Sequence, residues 1–235
     1  MADSNAPGLA VVVGASGGIG SALLHCLQQD DRYRLVIGLS RGSEPALDLL
    51  DESSITQAAA RVRDLGLPLR LVIDATGFLH GKGQAPEKSW QQLDAAQLAH
   101  NFAINAIGPA LLMKHFLPLL ARDGRAVFAT LSAKVGGSIG DNRLGGWYGY
   151  RAAKAALNQL VHTAAIELRR RQPQALCVAL HPGTVHTTLS EPFSKAGLAV
   201  VSPPEAATRL LRVIDGLKAE DSGGFFNHDG SPLPW

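Results

Sequence analysis

The run Leu9–Val13 (LAVVV) leads directly into the glycine loop GASGGIG, and this junction restricts the possible folds of the chain more than any other feature. Five apolar residues in a row are too few and too uniform for an amphipathic helix, so they predict a strand buried on both faces. Gly14, Gly18 and Gly20 then open a helical pattern. Glycine is needed where a backbone turns sharply or must lie close to a pyrophosphate, whose charge the amino end of a helix stabilises. Strand, glycine turn and helix in succession predict a dinucleotide site at the head of an α/β fold.

The rest of the 235 residues keeps the same rhythm. Helical patterns run from about Gly18 to Gln28, Glu52 to Leu65, Ala95 to Leu120 and Pro203 to Lys218, and a further one carries Tyr150 and Lys154. They alternate with strand-like runs at Arg34–Leu39, Ala46–Leu49, Leu69–Ala75, Arg125–Leu131, Ala175–Leu180 and Gly224–Asn227. This predicts a Rossmann-type doubly wound parallel sheet of about seven strands with helices on both faces, and ligands at the carboxyl ends of the strands. The pattern leaves no stretch for a second domain, so residues 1–235 are expected to form one.

The formal net charge is +2, and the basic residues are dispersed except for Arg169, Arg170 and Arg171 at a predicted helix end, where cations complement the helix dipole. That distribution argues against a nucleic-acid surface. No apolar stretch approaches the roughly 18 residues that suggest a membrane span, and MADSNAPGLA lacks the basic and apolar regions of a secretory signal. Cys26 and Cys177 have neither a CxxC partner nor metal-ligand spacing, and two lone cysteines suit a reducing cytoplasm.

At the end of the second strand, Ser40-Arg41 occupies the place where a fold of this type that prefers NAD carries an acid for the ribose 2′-hydroxyl. An arginine there can pair with a 2′-phosphate through its planar fork, which favours NADP(H) over NAD(H). Downstream, Tyr150 and Lys154 in YGYRAAKAALNQL are four residues apart and share a helix face. A phenol has a reference pKa of about 10, so proton transfer near neutrality calls for a neighbouring positive charge, and Lys154 is placed to lower the Tyr150 pKa. Tyr148 lies off that spacing and, with Trp147, reads as pocket wall or packing.

With these elements in place, the chain resembles the short-chain dehydrogenase/reductase family from Leu9 to Trp235: GASGGIG, NAIG around Asn105, YRAAK and HPGTVHT stand in the family's order and spacing. The segments GSIGDNRLGGWYGYRAAKAALNQL and GGFFNHDGSPLPW resemble its C-factor-like and sniffer-like carbonyl reductase branch. The resemblance implies NADP(H)-dependent hydride transfer between the nicotinamide and a small carbonyl or alcohol substrate. Tyr150 would donate or accept the proton, Lys154 would hold the nicotinamide ribose and tune the phenol, and Asn105 would kink its helix and bind a water linked to Lys154. Gly14, Ser16, Gly18, Ile19, Gly20, Ser40, Arg41, Ala75 and Gly77 would line the cofactor, with Pro182, Gly183, Val185 and Thr187 at the carboxamide and Asp48 at the adenine amine. A homodimer or homotetramer joined by helices is implied as well.

The chain departs from the family pattern at Val13, where Thr is common, at Asp74-Ala75-Thr76-Gly77, where NNAG is common, and at the catalytic Ser. Matching LSAKVG to ISSxxG puts Ala133 at the Ser position and Ser132 just before it, while Ser138 lies near the usual spacing ahead of Tyr150. Ser132 is the candidate, with Ser138 and a Ser-independent site as alternatives. Ala133 would also suit a pteridine-type reductase, and a cofactor-binding signalling protein on the same fold is the alternative from another class. His181 and His186 flank the cofactor segment without metal-ligand spacing, so no metal is expected. Residues 188–202 are expected to form a short lid whose Leu189, Phe193, Leu198 and Val200 offer apolar contacts to a small or flat carbonyl compound.

Overall fold

Alternate side chains of a fully apolar strand need cover on both sides. In β1 (Gly8–Val13), Leu9, Val11 and Val13 join one core, and Ala10 and Val12 join the other. The computed structural model describes residues 7–81, 83–137, 142–193 and 200–235. From β1 the chain continues through α1 (Gly18–Gln28), β2 (Tyr33–Leu39), α2 (Glu52–Asp64), β3 (Leu69–Asp74), α3 (Ala95–Phe102) and α4 (Gly108–Phe116). It then forms β4 (Ala126–Leu131), α5 (Lys134–Gly137), α6 (Tyr148–Arg171), β5 (Ala175–His181), β6 (Thr184–Val185), β7 (Val200–Val201), α7 (Pro203–Gly216) and β8 (Phe225–Asn227).

One six-stranded sheet runs β2-β1-β3-β4-β5-β8, with every ladder parallel. Leu23, Leu27, Ala207 and Leu210 of α1 and α7 cover one face, while Ile55, Leu112, Phe116 and Leu157 of α2, α4 and α6 cover the other. The doubly wound sheet is present, with one strand fewer than the sequence pattern suggests. Ala46–Leu49 is not a strand. The Leu47 N–H donates to Ser40 O at 2.8 Å, so the chain folds back over the end of β2 and buries Leu47 beside the cleft instead of in the sheet. The short parallel pair β6–β7, joining Thr184 to Val200, has no counterpart in the sequence pattern.

The helix predicted over Ala95–Leu120 is a column broken in phase by a π-helical turn at Ala103–Ile107, centred on Asn105. Such turns recur at functional positions. By length and composition alone, Ala95–Leu119 is long and apolar enough to cross a membrane. Asn101, Asn105 and Lys114 interrupt its apolar residues, so the sequence shows no single unbroken run there. In this fold the column is a core helix, with Leu112 and Phe116 buried against the sheet and with α6 alongside. β1 leads outward to β2 and β3 leads the other way, so a crevice opens at the carboxyl ends of these strands, where the winding reverses.

Candidate active site

Gly14 leaves β1 with φ +81°, in the left-handed region that favours glycine, and its N–H donates to Leu39 O at 2.8 Å. A Cβ on Gly20 would run into Gly14 O, so α1 can pack on this turn only with glycine there. The N-cap, Gly17, offers no side-chain cap, and the first turn of α1 holds no acid. The N–H groups and positive dipole end are therefore available to an anion. Arg41 lies on the same cleft, exposed and without a hydrogen bond or ion pair among the described residues. Nearby, the Asp48 carboxylate accepts from the Leu50 N–H at 3.0 Å.

The cleft, of about 620 Å³, extends from this turn to Tyr150 and Lys154. It is lined by Gly14, Ser16, Gly18, Ile19, Ser40, Arg41, Asp48, Ala75, Gly77, Ser132, Pro182 and Thr187 from the sequence-predicted set. The remaining predicted residues sit behind the wall. Gly20 lies under the turn, Gly183 packs its backbone against His228, Val185 is buried in β6, and Asn105 is fully buried. Asn105 clamps the loop after β3: Oδ1 accepts from the Phe78 N–H at 2.9 Å and Nδ2 donates to Phe78 O at 2.7 Å.

Lys154 is 2 % exposed, and Nζ donates to Leu131 O at 2.8 Å while lying 5.9 Å from the Tyr150 ring centroid. Burial pulls its pKa down to about 8, partly opposed by the Asp74 carboxylate. Burial pushes Tyr150 up to about 12. The Tyr150 shift is opposite to the sequence expectation, because the buried phenolate loses the water that would solvate its charge. Asp74 is itself fully buried, with Oδ2 accepting from Thr130 Oγ1 at 2.7 Å and Oδ1 from the Thr76 N–H at 3.0 Å and Thr76 Oγ1 at 2.5 Å. Burial raises its pKa against the effect of these hydrogen bonds and of Lys154.

Ser132 Oγ donates to Asn158 Oδ1 at 2.6 Å, and Ser138 lies outside the described residues. Asn158 escapes notice in the sequence, yet it lies one turn beyond Lys154 on the face that carries Tyr150, a spacing that could have marked it. Trp147, at the start of α6, meets the rings of Tyr150 and Phe193 edge-on, with centroids 6.2 and 5.2 Å apart. His80, which carries no local signal, places Nε2 3.1 Å from both Thr188 O and Leu189 O and its ring 5.4 Å from Phe193. Of the predicted lid contacts, Leu189 lines the cleft, Val200 is exposed in β7 away from it, and Leu198, within 194–199, lies outside the described residues.

A family model described as Enoyl-(Acyl carrier protein) reductase matches residues 35–211. The 1-hydroxy-2-glutathionyl-2-methyl-3-butene dehydrogenase of a Rhodococcus species is 30% identical over 236 residues, spanning 96% of this chain and 98% of that protein. The chain belongs to the short-chain dehydrogenase/reductase family. The C-signal of Myxococcus xanthus is 38% identical to this short-chain dehydrogenase/reductase over 144 residues, 61% of this chain and 81% of that one. The NADPH-bound carbonyl reductase from chicken fatty liver superposes with a TM-score of 0.84 at 26% identity, covering 99% of this chain and 97% of its own. Together these matches make the protein an oxidoreductase of the carbonyl-reductase type.

Proposed function

We propose that the chain is an NADP(H)-dependent reductase of small or flat apolar carbonyl compounds, with Tyr150 as the proton donor. The observation that carries this reading is a single cleft joining the uncapped amino end of α1, the Arg41 guanidinium, unpaired among the described residues, and the Tyr150–Lys154 pair. These groups suit a dinucleotide phosphate chemically: a glycine turn for the pyrophosphate, and Ser40 and Arg41 for a 2′-phosphate. Asp48 would take the adenine amine, and Pro182 and Thr187 the carboxamide. When bound, the nicotinamide supplies the hydride. As the carbonyl carbon takes it up, Tyr150 Oη gives its proton to the carbonyl oxygen. The Lys154 ammonium, held by Leu131 O, stabilises the phenolate that forms.

Leu189 presents an apolar contact to the substrate, the Trp147–Phe193 ring pair backs Tyr150, and His80 ties down Thr188 and Leu189. We take residues 1–235 as one domain. The exposed apolar residues Ile107, Leu160 and Ile166 of the π turn and α6 support a helix-mediated homodimer or homotetramer, and two unpaired cysteines support a cytoplasmic setting. A monomer by light scattering would refute the oligomer.

The test is a screen of ketones, aldehydes, quinones and pterins with NADPH and NADH, read by loss of nicotinamide absorbance. Tyr150→Phe should still bind NADPH while losing at least about 100-fold in turnover, whereas Tyr148→Phe should change little. The engagement of Ser132 by Asn158, with Ala133 beside it, favours a second reading, a signalling protein that binds the cofactor without turnover. Tight NADPH binding with no turnover across the screen would select it.

A further inference from the structure

We infer that Glu87 is a positioning residue for Tyr150, a buried carboxylate from the loop after β3 that fixes the first turn of α6. The inference rests on Tyr150 being the proton donor. Helix α6, 24 residues long, has no cap of its own: Trp147 precedes it in the left-handed region (φ 56°, ψ 39°), makes no side-chain cap, and no acid lies in the first turn. The first N–H groups of a helix have no partner within it. Here they find one 62 positions upstream in the sequence, where Glu87 Oε2 accepts from the Gly149 N–H at 3.3 Å. The backbone O of Glu87 accepts from the Trp147 N–H at 2.6 Å, so the same residue also holds the peptide that turns into the helix.

Glu87 is 2 % exposed, and a carboxylate at a helix amino end is stabilised by the dipole. The approach is close because residue 149 is glycine: a Cβ there would lie 3.0 Å from Glu87 Oε1 and 3.2 Å from Asn101 Nδ2. Asn101 Oδ1 accepts from Asn105 Nδ2 at 3.3 Å, and Asn105 clamps Phe78 on the cleft wall. Glu87 Oε1 is buried without a hydrogen-bond partner among the described residues. Burying a carboxylate with one unpaired oxygen is costly, and an apolar residue would serve simple packing better. Gly149 immediately precedes Tyr150, so any slack in its peptide displaces the phenol. Glu87 touches neither the reacting atoms nor the cofactor side of the cleft; it acts through the placement of Tyr150.

Two variants test this alongside the wild type and Tyr150→Phe. Glu87→Gln keeps the shape but removes the charge and brings an amide NH2 toward the N–H donors; Glu87→Ala removes the acceptor altogether. Four quantities are read for each: Tm, NADPH Kd, single-turnover NADPH oxidation with phenanthrenequinone as the carbonyl probe, and amide hydrogen exchange across residues 148–152. NADPH Kd is expected to stay within about twofold. Hydride transfer well below Tm should fall by about 10- to 100-fold, as for a misplaced reacting group, with Gln retaining more activity than Ala. Exchange at Gly149 to Arg151 should quicken in both. Variants that keep the wild-type transfer rate and exchange, or that lose only Tm, overturn the inference. A Tyr150→Phe protein that still turns over overturns the proton-donor reading instead, and the exchange measurement then still decides whether Glu87 holds the turn.

Discussion

Replacing Lys154 with methionine removes a buried cation while leaving a chain of similar length and apolar character. In the native site the ammonium lies 5.9 Å from the centre of the Tyr150 ring. At an effective dielectric constant of about 20, unit charges about 4 to 6 Å apart attract by roughly 3 to 4 kcal/mol, or about two to three pKa units. Burial alone already holds Tyr150 at about 12, so loss of the cation makes the phenolate harder still to form. Turnover should drop by at least about 100-fold if the full charge is felt as the proton leaves. The wild-type pH profile follows from the same numbers. Tyr150 stays protonated through the working range, whereas Lys154 loses its proton near 8. Reductive kcat/KM should thus be level below that value and fall above it as the stabilising charge disappears. Lys154→Arg keeps a guanidinium that does not deprotonate, so its profile should stay level to higher pH, whatever its absolute rate. Initial rates of NADPH oxidation from about pH 6 to 10 at saturating cofactor, with NADPH Kd measured separately, distinguish these outcomes. A methionine variant with the native rate and profile, or an arginine variant that falls at the native pH, would refute the reasoning.

Arg41→Ala should narrow the affinity gap between NADPH and NADH by about 1 to 3 kcal/mol, the size of a charge-assisted hydrogen bond; equal affinities of the wild type in a titration would remove the argument. Gly20→Ala drives a Cβ into Gly14 O, and should lower the urea midpoint by an amount equivalent to about 1 to 3 kcal/mol while weakening NADPH binding. His181, whose Nδ1 accepts from the Lys134 N–H, is held down to about 4 by burial with help from His228 and Lys134. The unfolded chain takes up that proton near 6.5 and the folded chain refuses it, so stability present above 6.5 is lost as pH falls toward 4, by up to about 3 kcal/mol. Urea midpoints at neutral and acid pH should converge in His181→Gln; an unchanged acid sensitivity would count against this account.

The legible parts of this fold were local or periodic. LAVVV announces a buried strand because every residue is apolar, and Tyr150 and Lys154 declare a shared helix face through their spacing alone. Ala46–Leu49 misleads for the opposite reason: Leu47 is apolar because it is buried at the cleft, a tertiary fact that mimics a strand pattern. The same limit hid Glu87 and His80, whose partners are distant in sequence. The direction of the Tyr150 shift was also out of reach, since four-residue spacing reports proximity to a charge but says nothing of how much water the phenol loses.

Because every ladder of the sheet is parallel, no two neighbouring strands can zip together through a tight turn. As the chain leaves the ribosome, β1 must wait for a whole crossover before β2 can join it, and for another before β3 covers its opposite edge. Assembly is governed by contacts distant in sequence, which makes it slow. The helix bearing Tyr150 and Lys154 packs on β5, which is translated after it, and β5 gains its outer neighbour only from β8. A nascent chain halted between α6 and β5 would carry Tyr150 and Lys154 on a helix that has β4 to lie against but lacks β5, the strand it packs on. Catalytic competence therefore arrives late in translation, and truncated products of this gene should be inert toward NADPH rather than partially active.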